Sequence, residues 1–369
     1  MGLTPAMLPT PSPDFWNGRR VFLTGHTGFK GSWTSLWLEK LGATVSGYSL
    51  APNHEPALFD LLAPFANAES TIADLAEHDR LRTVLHEFRP SVILHMAAQP
   101  LVRRSYQEPR ETFETNLLGS VNVLDAAKDL DGLDAVLMVT SDKVYANSDA
   151  GVPFGEDDLL GGHDPYSASK ACIEIATSCY RDSFFAPRGI PLATSRAGNV
   201  IGGGDWSIDR LVPDVWRAVT AGKLPELRNP ESTRPWQHVL EPISGYLLFL
   251  EALAERGVAD PKALNFGPLP GAPETTTGEV ADAVAQGLGH EHGWVQAPGE
   301  HPPENKLLAL DASLAIKSLG WSPRLDSATT LEWVAEWYHD FNEGADPRAL
   351  TLAQIERYEQ LPAATLQAS

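Results

Sequence analysis

A tyrosine and a lysine stand four residues apart at the start of a predicted helix, at Tyr166 and Lys170. This spacing places both side chains on one face of the helix, one turn apart. A phenol with its usual pKa of about 10 is a poor base at neutral pH, but an adjacent ammonium favours the phenolate and lowers that pKa. The two residues can therefore form a proton acceptor for a hydroxyl, although an ordinary surface pair has the same spacing.

A second polar group stands at the end of a predicted strand. Ser141, Asp142 and Lys143 directly follow an apolar run, 135–140. If that run is a strand of a parallel sheet, its carboxyl end brings the Ser141 hydroxyl to the same edge as the tyrosine. Asp142 and Lys143 could move protons there or form a solvated pair in a turn, and their spacing alone leaves both interpretations open.

The stretch that must position these groups is a glycine-rich turn near the N-terminus. A buried strand is predicted at 21–23, followed by Gly25, Gly28 and Gly31 and then by a helical apolar pattern. Strand, glycine turn and helix N-terminus together predict a cradle for a dinucleotide pyrophosphate. A Walker-type loop is excluded, because Lys30 precedes a glycine where that motif needs glycine, lysine and then serine or threonine.

Apolar strands alternate with helical segments up to about residue 200, which predicts an α/β fold. We expect a doubly wound, mostly parallel Rossmann sheet with helices on both faces. The predicted strands are 21–23, 43–49, 70–75, 91–99, 135–141 and 192–196. Further helices are predicted at 209–221, 239–256, 277–287, 310–319 and 327–342.

This pattern predicts three parts of the chain. They are a flexible N-terminal tail (1–14), a dinucleotide-binding domain that carries the catalytic residues (15–200) and a smaller, mainly helical C-terminal lobe that binds substrate (201–369). We expect some of the chain in the lobe to cross back to the sheet.

Charge and composition limit the class of ligand and the location. The net charge of −20 over 369 residues argues against nucleic acid. An anionic ligand must then meet local arginines, and Arg196, Arg210 and Arg234 are the candidates.

No apolar run approaches the ~20 residues of a membrane helix. Cys172 and Cys179 are too far apart on a helix for a disulfide, so we expect a reduced, cytoplasmic protein without a membrane partner.

The cofactor prediction rests on the residues missing after the second strand, and the prediction of no metal site rests on the spacing of the histidines. The second strand ends at Ser49 without a following acid for the adenosine ribose or a base for a 2′-phosphate, so NAD is favoured over NADP only by default. His95, His163 and His238 show no spacing typical of metal ligands, and we predict no metal site.

Five stretches together resemble the extended short-chain dehydrogenase/reductase family, and most closely its nucleotide-sugar 4,6-dehydratases that act on CDP-glucose. The five are 24–33 (TGHTGFKGSW), 140–145 (TSDKVY), 164–170 (DPYSASK), 196–206 (RAGNVIGGGDW) and 228–241, with its RPWQHVLE ending. The resemblance covers the chain from about residue 15 to the last predicted helix.

The resemblance implies a lyase reaction that uses and regenerates bound NAD in each turnover. Tyr166, held by Lys170 and assisted by Ser141, takes the proton of the sugar 4-hydroxyl while C4 gives a hydride to NAD. A base removes the C5 proton, Asp142 protonates the departing 6-hydroxyl, and the hydride returns to C6. Lys143 stands where relatives that act on thymidine-linked sugars carry a glutamate base, and whether it is the C5 base or stabilises the enolate stays open.

The resemblance also implies the binding residues. The cofactor residues are Gly25, Thr27, Gly28, Phe29, Lys30, Gly31, Asp74, Leu75, Ala97, Ala98, Gln99, Asn116, Tyr166 and Lys170, and the substrate residues are Arg104, Asn199, Arg210, Arg234 and His238. A homodimer or dimer of dimers, and a product that feeds deoxysugars into O-antigen or other lipopolysaccharide, are further expectations. The alternatives are a nucleotide-sugar 4-epimerase of the same fold, a dehydratase for another nucleotide-linked glucose and a non-catalytic dinucleotide-binding regulator.

Overall fold

The structure, a computed structural model, describes residues 8–147, 151–269, 271–272, 275–290, 293–299 and 308–362. Its centre is a sheet of seven parallel strands in the order β11-β6-β5-β4-β1-β2-β3. These strands are β1 Arg20–Thr24, β2 Thr44–Ser49, β3 Ala68–Ile72, β4 Val92–His95, β5 Ala135–Val139, β6 Leu192–Ala197 and β11 Ala263–Phe266. The predicted doubly wound Rossmann sheet is confirmed.

The strand order reverses between β1 and β4, which are neighbours in the sheet but lie far apart in sequence. In such sheets the crevice outside the carboxyl ends at this reversal binds the ligand. Gly25 follows β1 and Met96 follows β4 at that point. The topology therefore opens the cleft beside the glycine turn.

Helices cover both faces of the sheet, which explains why its central strands are apolar on both sides. Within β1, Val21 and Leu23 belong to the core on one face, whereas Phe22 belongs to the core on the other. The α-helices are α1 Pro13–Trp16, α2 Phe29–Lys40, α3 Leu58–Leu62, α4 His78–Phe88, α5 Val102–Gln107, α6 Pro109–Phe113, α7 Gly119–Ala127, α8 Pro165–Tyr180, α9 Leu211–Thr220, α10 Leu240–Arg256, α11 Thr277–Gly287, α12 Ser313–Leu319, α13 Ser327–Asn342 and α14 Pro347–Glu359. Two π-helical turns, Glu114–Leu118 and Arg181–Phe185, and two 3-10 turns, Asp142–Val144 and Ala186–Arg188, interrupt or extend this set.

The C-terminal part is mainly helical, with short strand pairs. The remaining strands are β7 Val200–Ile201, β8 Glu226–Leu227, β9 Thr233–Arg234, β10 Gln237–His238, β12 Thr275–Thr276 and β13 Val295–Gln296. Trp206 lies at its centre, in contact with Trp337 and Tyr338. From within this part, β11 returns to the edge of the main sheet beside β6. The division at residue 200 into two domains stays a prediction.

Both ends of the described chain differ from the sequence expectation. Residues 1–7 of the predicted tail lie outside the described residues, but Ser12 caps α1 and its backbone N–H donates to Glu251 Oε1 at 2.7 Å. The predicted tail of 1–14 was therefore too long. Helix α14 was missed, and it packs on α2, where Trp37 Nε1 donates to Glu359 Oε1 at 2.9 Å.

No helix within the described ranges is long and apolar enough to cross a membrane. The two cysteines are free, in agreement with the helical spacing that argued against a disulfide.

Candidate active site

The glycine turn between β1 and α2 is built for close backbone approach. Gly25 has a φ of +75°, and a Cβ there would lie 2.8 Å from the backbone nitrogen of Ala97. A Cβ on Gly31 would lie 2.0 Å from the carbonyl oxygen of Gly25. A side chain at either position would force the turn to move. The two glycines therefore allow β1 and α2 to approach closely at the centre of the sheet edge.

The N-terminus of α2 fits the pyrophosphate of a dinucleotide. No side chain caps this end, whose N-cap is Gly28, so the first-turn amides of a 12-residue helix face the cleft together with the positive end of its dipole. Thr27 fixes the rim of the cradle, since its hydroxyl pairs with Ser49 Oγ at 2.9 Å and donates to the Leu50 carbonyl at 2.8 Å. The geometry fits the predicted cofactor cradle.

Asp74 and Leu75 follow β3 at the far end of the same edge. Asp74 uses one carboxylate oxygen to accept from the backbone of Ala76 at 2.9 Å, and Leu75 is buried against Gly119. Their place matches the adenosine end of a dinucleotide that begins at the glycine turn, because both follow the carboxyl end of a strand. Their contact with the cofactor stays a prediction.

The segment after β4 is held from behind by a buried amide. Asn116, in the first π-helical turn, accepts from the backbone N–H of Gln99 at 2.7 Å and donates to the Gln99 carbonyl at 3.1 Å and to Ser169 Oγ at 2.9 Å. The Gln99 side chain bonds to Leu101 and Thr112. Both side chains hydrogen-bond to protein partners, and Asn116 links α8 to the segment that includes Ala97 and Ala98. The contact of Asn116 with the cofactor stays a prediction.

Ser141 and Asp142 form a hydrogen-bonded pair just after β5. Ser141 caps the 3-10 turn, accepts from the Lys143 backbone and donates to Asp142 Oδ1 at 2.9 Å. The Asp142 carboxyl is 3% exposed, and no described residue hydrogen-bonds to its Oδ2 atom. Burial raises the pKa of Asp142, against the opposing effects of Lys143, Ser141, Lys30 and Arg234. A neutral carboxyl with a free oxygen can act as a general acid and donate its proton to a bound group.

Tyr166 and Lys170 lie on the first two turns of α8, as the sequence predicts. Asp164 caps this helix and accepts from the backbone of Ser167 at 3.0 Å, which fixes where its first turn begins. Burial raises the pKa of Tyr166 to about 12, whereas a hydrogen bond with Ser141 opposes that rise. Lys170 donates to the Val139 carbonyl at 3.2 Å, and burial lowers its pKa to about 8. The structure thus brings Ser141, Asp142, Tyr166 and Lys170 together.

Lys143 lies beside this group, and its charge is the largest electrostatic influence on Asp142. It lines a small recess with Tyr145, Gly162 and His163, next to the start of α8. Its location at the reacting end of the cleft agrees with the sequence prediction, and its role stays open.

Lys30 occupies the same end of the cleft from the opposite side. Its Nζ atom lies 5.8 Å from the centre of the Tyr246 ring, and its charge interacts with Arg210, Lys170 and Asp142. The first turn of α2 therefore contributes a cation to the catalytic group.

Two of the predicted phosphate ligands also reach the site. Arg210, just before α9, interacts with Tyr166 and Lys30, and Arg234, in β9, interacts with Asp142. Asn199 lies between β6 and β7, half-buried. Arg104, by contrast, forms an ion pair with Glu111 at 2.6 Å, with both side chains about two-fifths exposed, and nothing in that contact ties it to the cleft.

Arg196 and His238, which the sequence made candidates for ligand binding, both lie buried among protein partners. Arg196 is buried in an ion pair with Glu174 at 2.9 Å and also donates to the Tyr145 hydroxyl, so it has no free edge for a phosphate. His238 is fully enclosed between Trp33 and Trp333, and burial lowers its pKa to about 3. The histidine belongs to the aromatic core, which disfavours a contact with substrate, and that contact stays a prediction.

Sequence reasoning missed Tyr246 and Glu174. Tyr246, on α10, is fully buried, makes no hydrogen bond through its hydroxyl to a described residue, and interacts with Tyr166 and Asp142. Nothing local marks it, since only the packing of α10 under β5 brings it there. Glu174 lies one turn beyond Lys170 on α8, and this i, i+4 spacing was a signal that could have been used.

A Rossmann sheet with an uncapped glycine turn, a tyrosine–lysine pair and a serine at one edge defines a short-chain dehydrogenase/reductase of the extended type. The family model described as GDP-mannose 4,6 dehydratase matches residues 22–333, and the chain belongs to this family.

Individual relatives agree. The chain is 43% identical over 350 residues to the CDP-glucose 4,6-dehydratase of Salmonella typhimurium, covering 94% of this chain and 97% of that protein. It is 25% identical to a UDP-glucose 4-epimerase of Rhizobium leguminosarum bv. trifolii, over 88% of this chain and 99% of that protein. Among solved structures, a UDP-glucose-4-epimerase of Stenotrophomonas maltophila with bound NAD superimposes with a TM-score of 0.75 at 23% identity, covering 89% of this chain and 100% of that one.

Proposed function

We propose that this protein is an NAD-dependent lyase that converts CDP-glucose to CDP-4-dehydro-6-deoxyglucose with loss of water. The observation that carries the proposal is the buried Asp142 Oδ2 beside Ser141, which has no hydrogen-bond partner among the described residues and lies at the edge where Tyr166 and Lys170 meet. An acid in this position serves an elimination, and simple oxidation and reduction at C4 has no use for it. The 43% identity to the Salmonella enzyme supports CDP-glucose as the substrate.

NAD would lie along the strand ends, from Asp74 past the first turn of α2 to Lys170. When bound, its nicotinamide supplies a reversible hydride acceptor. The side chain of Lys170 donates to the Val139 carbonyl, which supports a reacting end of the cleft beside β5. The cradle fits the group because the first-turn amides of α2, at Phe29 to Gly31, have no capping side chain.

The first proton transfer falls to Tyr166. Burial holds its pKa high in the protein alone, and a hydrogen bond with Ser141 together with the charge of Arg210 favours its ionised form. A positively charged ring bound nearby would favour the phenolate further. Tyr166 then takes the proton of the sugar 4-hydroxyl while Ser141 holds the oxygen in place.

The elimination falls to Asp142 and Lys143. Asp142, kept neutral by burial, protonates the departing 6-hydroxyl through its free oxygen. Lys143, the next residue, serves the C5 side, where the C4 ketone makes the proton acidic. Substitutions of Lys143 distinguish an amine base from a cation that stabilises the enolate.

Arg210, Arg234 and Asn199 are the groups that would hold the substrate diphosphate. A guanidinium pairs with phosphate oxygens through parallel N–H groups, and both arginines carry charge at the catalytic end of a chain whose net charge is −20. Substitution of either by methionine should raise KM for the nucleotide sugar more than it lowers kcat.

A 4-epimerase is the second candidate, because epimerases share this fold at 19–26% identity. The buried Asp142 disfavours it, since epimerisation does not expel a hydroxyl.

The test is an assay with CDP-, dTDP-, UDP- and GDP-glucose in deuterated water. Formation of a 4-keto-6-deoxy product from CDP-glucose, with deuterium at C5, supports the proposal. A galactose-configured product supports the epimerase, preference for another nucleotide corrects the substrate, and no turnover of any of the sugars contradicts an enzyme of this class.

We further propose that the protein is a cytoplasmic homodimer or dimer of dimers whose product feeds surface-polysaccharide deoxysugars such as those of O-antigen. Exposed apolar side chains along the helices next to the tyrosine–lysine pair support the dimer, namely Leu118, Ile175 and Phe184. Light scattering on the wild-type chain and on Ile175→Glu tests it: the variant should be a monomer if these helices form the interface.

A further inference from the structure

His95 ends β4 at the point where the strand order of the sheet reverses, and its side chain is 1% exposed. Its partner across the reversal is Thr24, the residue before the first glycine of the turn. The reaction outlined above does not use this histidine. Both of its ring nitrogens hydrogen-bond to side chains, so the partners determine which nitrogen carries the proton.

The Nδ1 atom of His95 accepts a hydrogen bond from Thr24. The Thr24 Oγ1 atom lies 2.7 Å from Nδ1 and 3.1 Å from each of the backbone nitrogens of Met96 and Ala97. Because the two amides can only donate, the single hydroxyl proton of Thr24 points to Nδ1. The same hydroxyl therefore holds the segment after β4 close to Gly25, where a Cβ would lie 2.8 Å from the Ala97 nitrogen.

The Nε2 atom of His95 donates on the other side of the ring. It lies 2.9 Å from Ser120 Oγ, which itself donates to the Asn116 carbonyl at 2.5 Å. A neutral imidazole whose Nδ1 accepts carries its proton on Nε2, so both sides of the ring agree on one tautomer. Burial and the charge of Lys170 lower the pKa of His95 to about 3, so the ring stays neutral at physiological pH.

The chain of hydrogen bonds continues to the catalytic helix α8. The Asn116 side chain donates to Ser169 Oγ at 2.9 Å, and that hydroxyl donates to the backbone carbonyl of Tyr166 at 2.7 Å. The side chains along this network are at most 1% exposed, namely Thr24, His95, Ser120, Asn116 and Ser169. A buried network whose members are all hydrogen-bonded is rigid. The turn that forms the cofactor cradle and the helix that carries the base are therefore held at one separation.

We propose that His95 is a positioning residue for the hydride transfer, whose neutral, Nε2-protonated ring fixes the cofactor cradle relative to Tyr166. The inference rests on the NAD-dependent function proposed above. Tyr166 takes the hydroxyl proton while the hydride leaves C4, so the cradle and the phenol must be aligned at the same time. His95 lies behind both and acts through Thr24 on one side and Ser120 on the other.

Two substitutions separate the two sides of the ring. His95→Asn keeps an acceptor near the position of Nδ1 for Thr24, whereas His95→Gln keeps a donor near the position of Nε2 for Ser120. His95→Asn should retain the NAD affinity but slow the reduction of bound NAD by CDP-glucose about 10–100-fold. His95→Gln should do the reverse, weakening NAD about 5–10-fold, the equivalent of about one hydrogen bond, and keeping most of the rate.

Binding and reduction are measured separately. The full chain, freed of cofactor, is titrated calorimetrically with NAD, and the absorbance of reduced nicotinamide is followed by stopped flow at saturating NAD and CDP-glucose. KM for CDP-glucose and the pH profile of the rate should match those of wild type, because the ring does not titrate in this range.

NMR of the wild-type chain with isotope-labelled histidine provides a readout without catalysis. The His95 signals are assigned by their loss in His95→Gln. They should show a ring protonated on Nε2 and unchanged between about pH 5 and about pH 9.

Ser244→Ala is the matched control for the loss of a buried hydrogen bond. The Ser244 hydroxyl, on α10, accepts from Trp321 Nε1 at 3.0 Å and donates to the Glu241 carbonyl at 2.9 Å. The control should lower stability against denaturant, as the His95 variants do, and should leave the NAD affinity and the rate of reduction unchanged.

Three results overturn the inference. The first is a His95 ring that titrates near neutral pH or carries its proton on Nδ1. The second is a loss of rate and NAD affinity together in both variants, in proportion to their loss of stability, which assigns a purely structural role. The third is reduction at the wild-type rate in His95→Asn. If the wild-type chain reduces no NAD with any of the nucleotide sugars, the proposed function fails, whereas the NAD affinities and the NMR spectra test the role of His95 at the cradle separately.

Discussion

Single residues determine which reaction this fold performs, and Asp142 is the most informative. Its carboxyl meets Ser141 through one oxygen and leaves the other free in a buried setting. A residue that only filled space here would be apolar, because an unpartnered buried carboxyl costs about 1–3 kcal/mol even when neutral. The cost indicates that the free oxygen serves the reaction.

We expect Asp142→Asn to separate oxidation from elimination. Asparagine keeps the size and the contact to Ser141 but cannot donate an acidic proton, so loss of the 6-hydroxyl should slow about 10²–10⁴-fold. Oxidation at C4 should remain, and the near-ultraviolet absorbance of reduced nicotinamide should build up with CDP-glucose. A variant that never reduces its cofactor would show that Asp142 is needed for the first step instead.

Substitutions of Lys143 separate its two candidate roles. Lys143→Arg keeps a cation but cannot serve as an amine base, whereas Lys143→Met removes both properties. If Lys143 is the C5 base, both variants should lose exchange of the C5 proton with deuterated water. If it stabilises the enolate, Lys143→Arg should retain most of the exchange and only Lys143→Met should lose it.

The sequence placed the serine and the tyrosine–lysine pair at one edge of the sheet because each depends on local spacing at a strand end or a helix start. The acid role of Asp142 followed from the family resemblance, since spacing alone left it open. The sequence could not predict the partner of Arg196, since the motif next to it suggested a phosphate and only the folded chain places Glu174 across from it. Tyr246 was not predicted for the same reason, because only the packing of α10 brings it to the site. Residues whose role depends on a distant element leave no local pattern.

At the scale of elements, α8 must be held at a fixed height over the sheet for Tyr166 to face Ser141. Glu174 provides that contact: it accepts from Thr140 after β5, from Thr194 in β6 at 2.7 Å and from Arg196 in β6 at 2.9 Å. Every member of this network is buried. The catalytic helix is therefore tied to the two strands that carry the rest of the site.

Breaking the ion pair between Glu174 and Arg196 should destabilise the protein strongly. Arg196→Met leaves Glu174 as an uncompensated buried charge, and we expect a loss of about 3–5 kcal/mol in the free energy of unfolding. The double variant Glu174→Gln, Arg196→Met should recover part of that loss. The measurement is denaturant unfolding, with Arg357→Met as the matched control, because its pair with Glu336 is about half exposed and should contribute less than about 1 kcal/mol.

The sequence predicted most elements because their apolar periods are clear, and it missed α14 for a physical reason. This helix has a polar surface, and its attachment depends on a few specific contacts, such as those of Tyr358 and Glu359 with α10 and α2. The seventh strand of the sheet, β11, was also missed. It has only four residues between a helix and prolines, a pattern typical of a connection, and only its pairing with β6 identifies it as a strand.

For the whole molecule, Glu241 fastens the end of the chain to α10, the helix that packs against β5. From α10, it accepts from the backbone N–H groups of Arg324 and Leu325 at 2.8 and 2.7 Å and from the Tyr358 hydroxyl at 2.7 Å. Burial raises its pKa to about 7, from an ordinary value of 4.5. The C-terminal segment is thus fastened by a carboxyl that is protonated below neutral pH.

This raised pKa makes stability depend on pH in a defined direction. The folded state binds the Glu241 proton more tightly, so its contribution is fully present below about pH 4.5 and is lost as the pH rises to about 7, by about 3 kcal/mol. Glu241→Gln should flatten the fall in Tm across this range, whereas Glu356→Gln, at an exposed position of α14, should leave it unchanged. A wild-type profile that the glutamine variant reproduces would assign the titration to other groups.

In the proposed reaction, the hydride removed from C4 returns to C6 of the same sugar. CDP-glucose carrying deuterium at C4 tests it directly in ordinary water, with the product analysed by NMR and mass spectrometry. We predict a 4-keto-6-deoxy product that retains the deuterium, located at C6. Deuterium found at C4 of a galactose-configured product, or lost to the medium, would contradict the account.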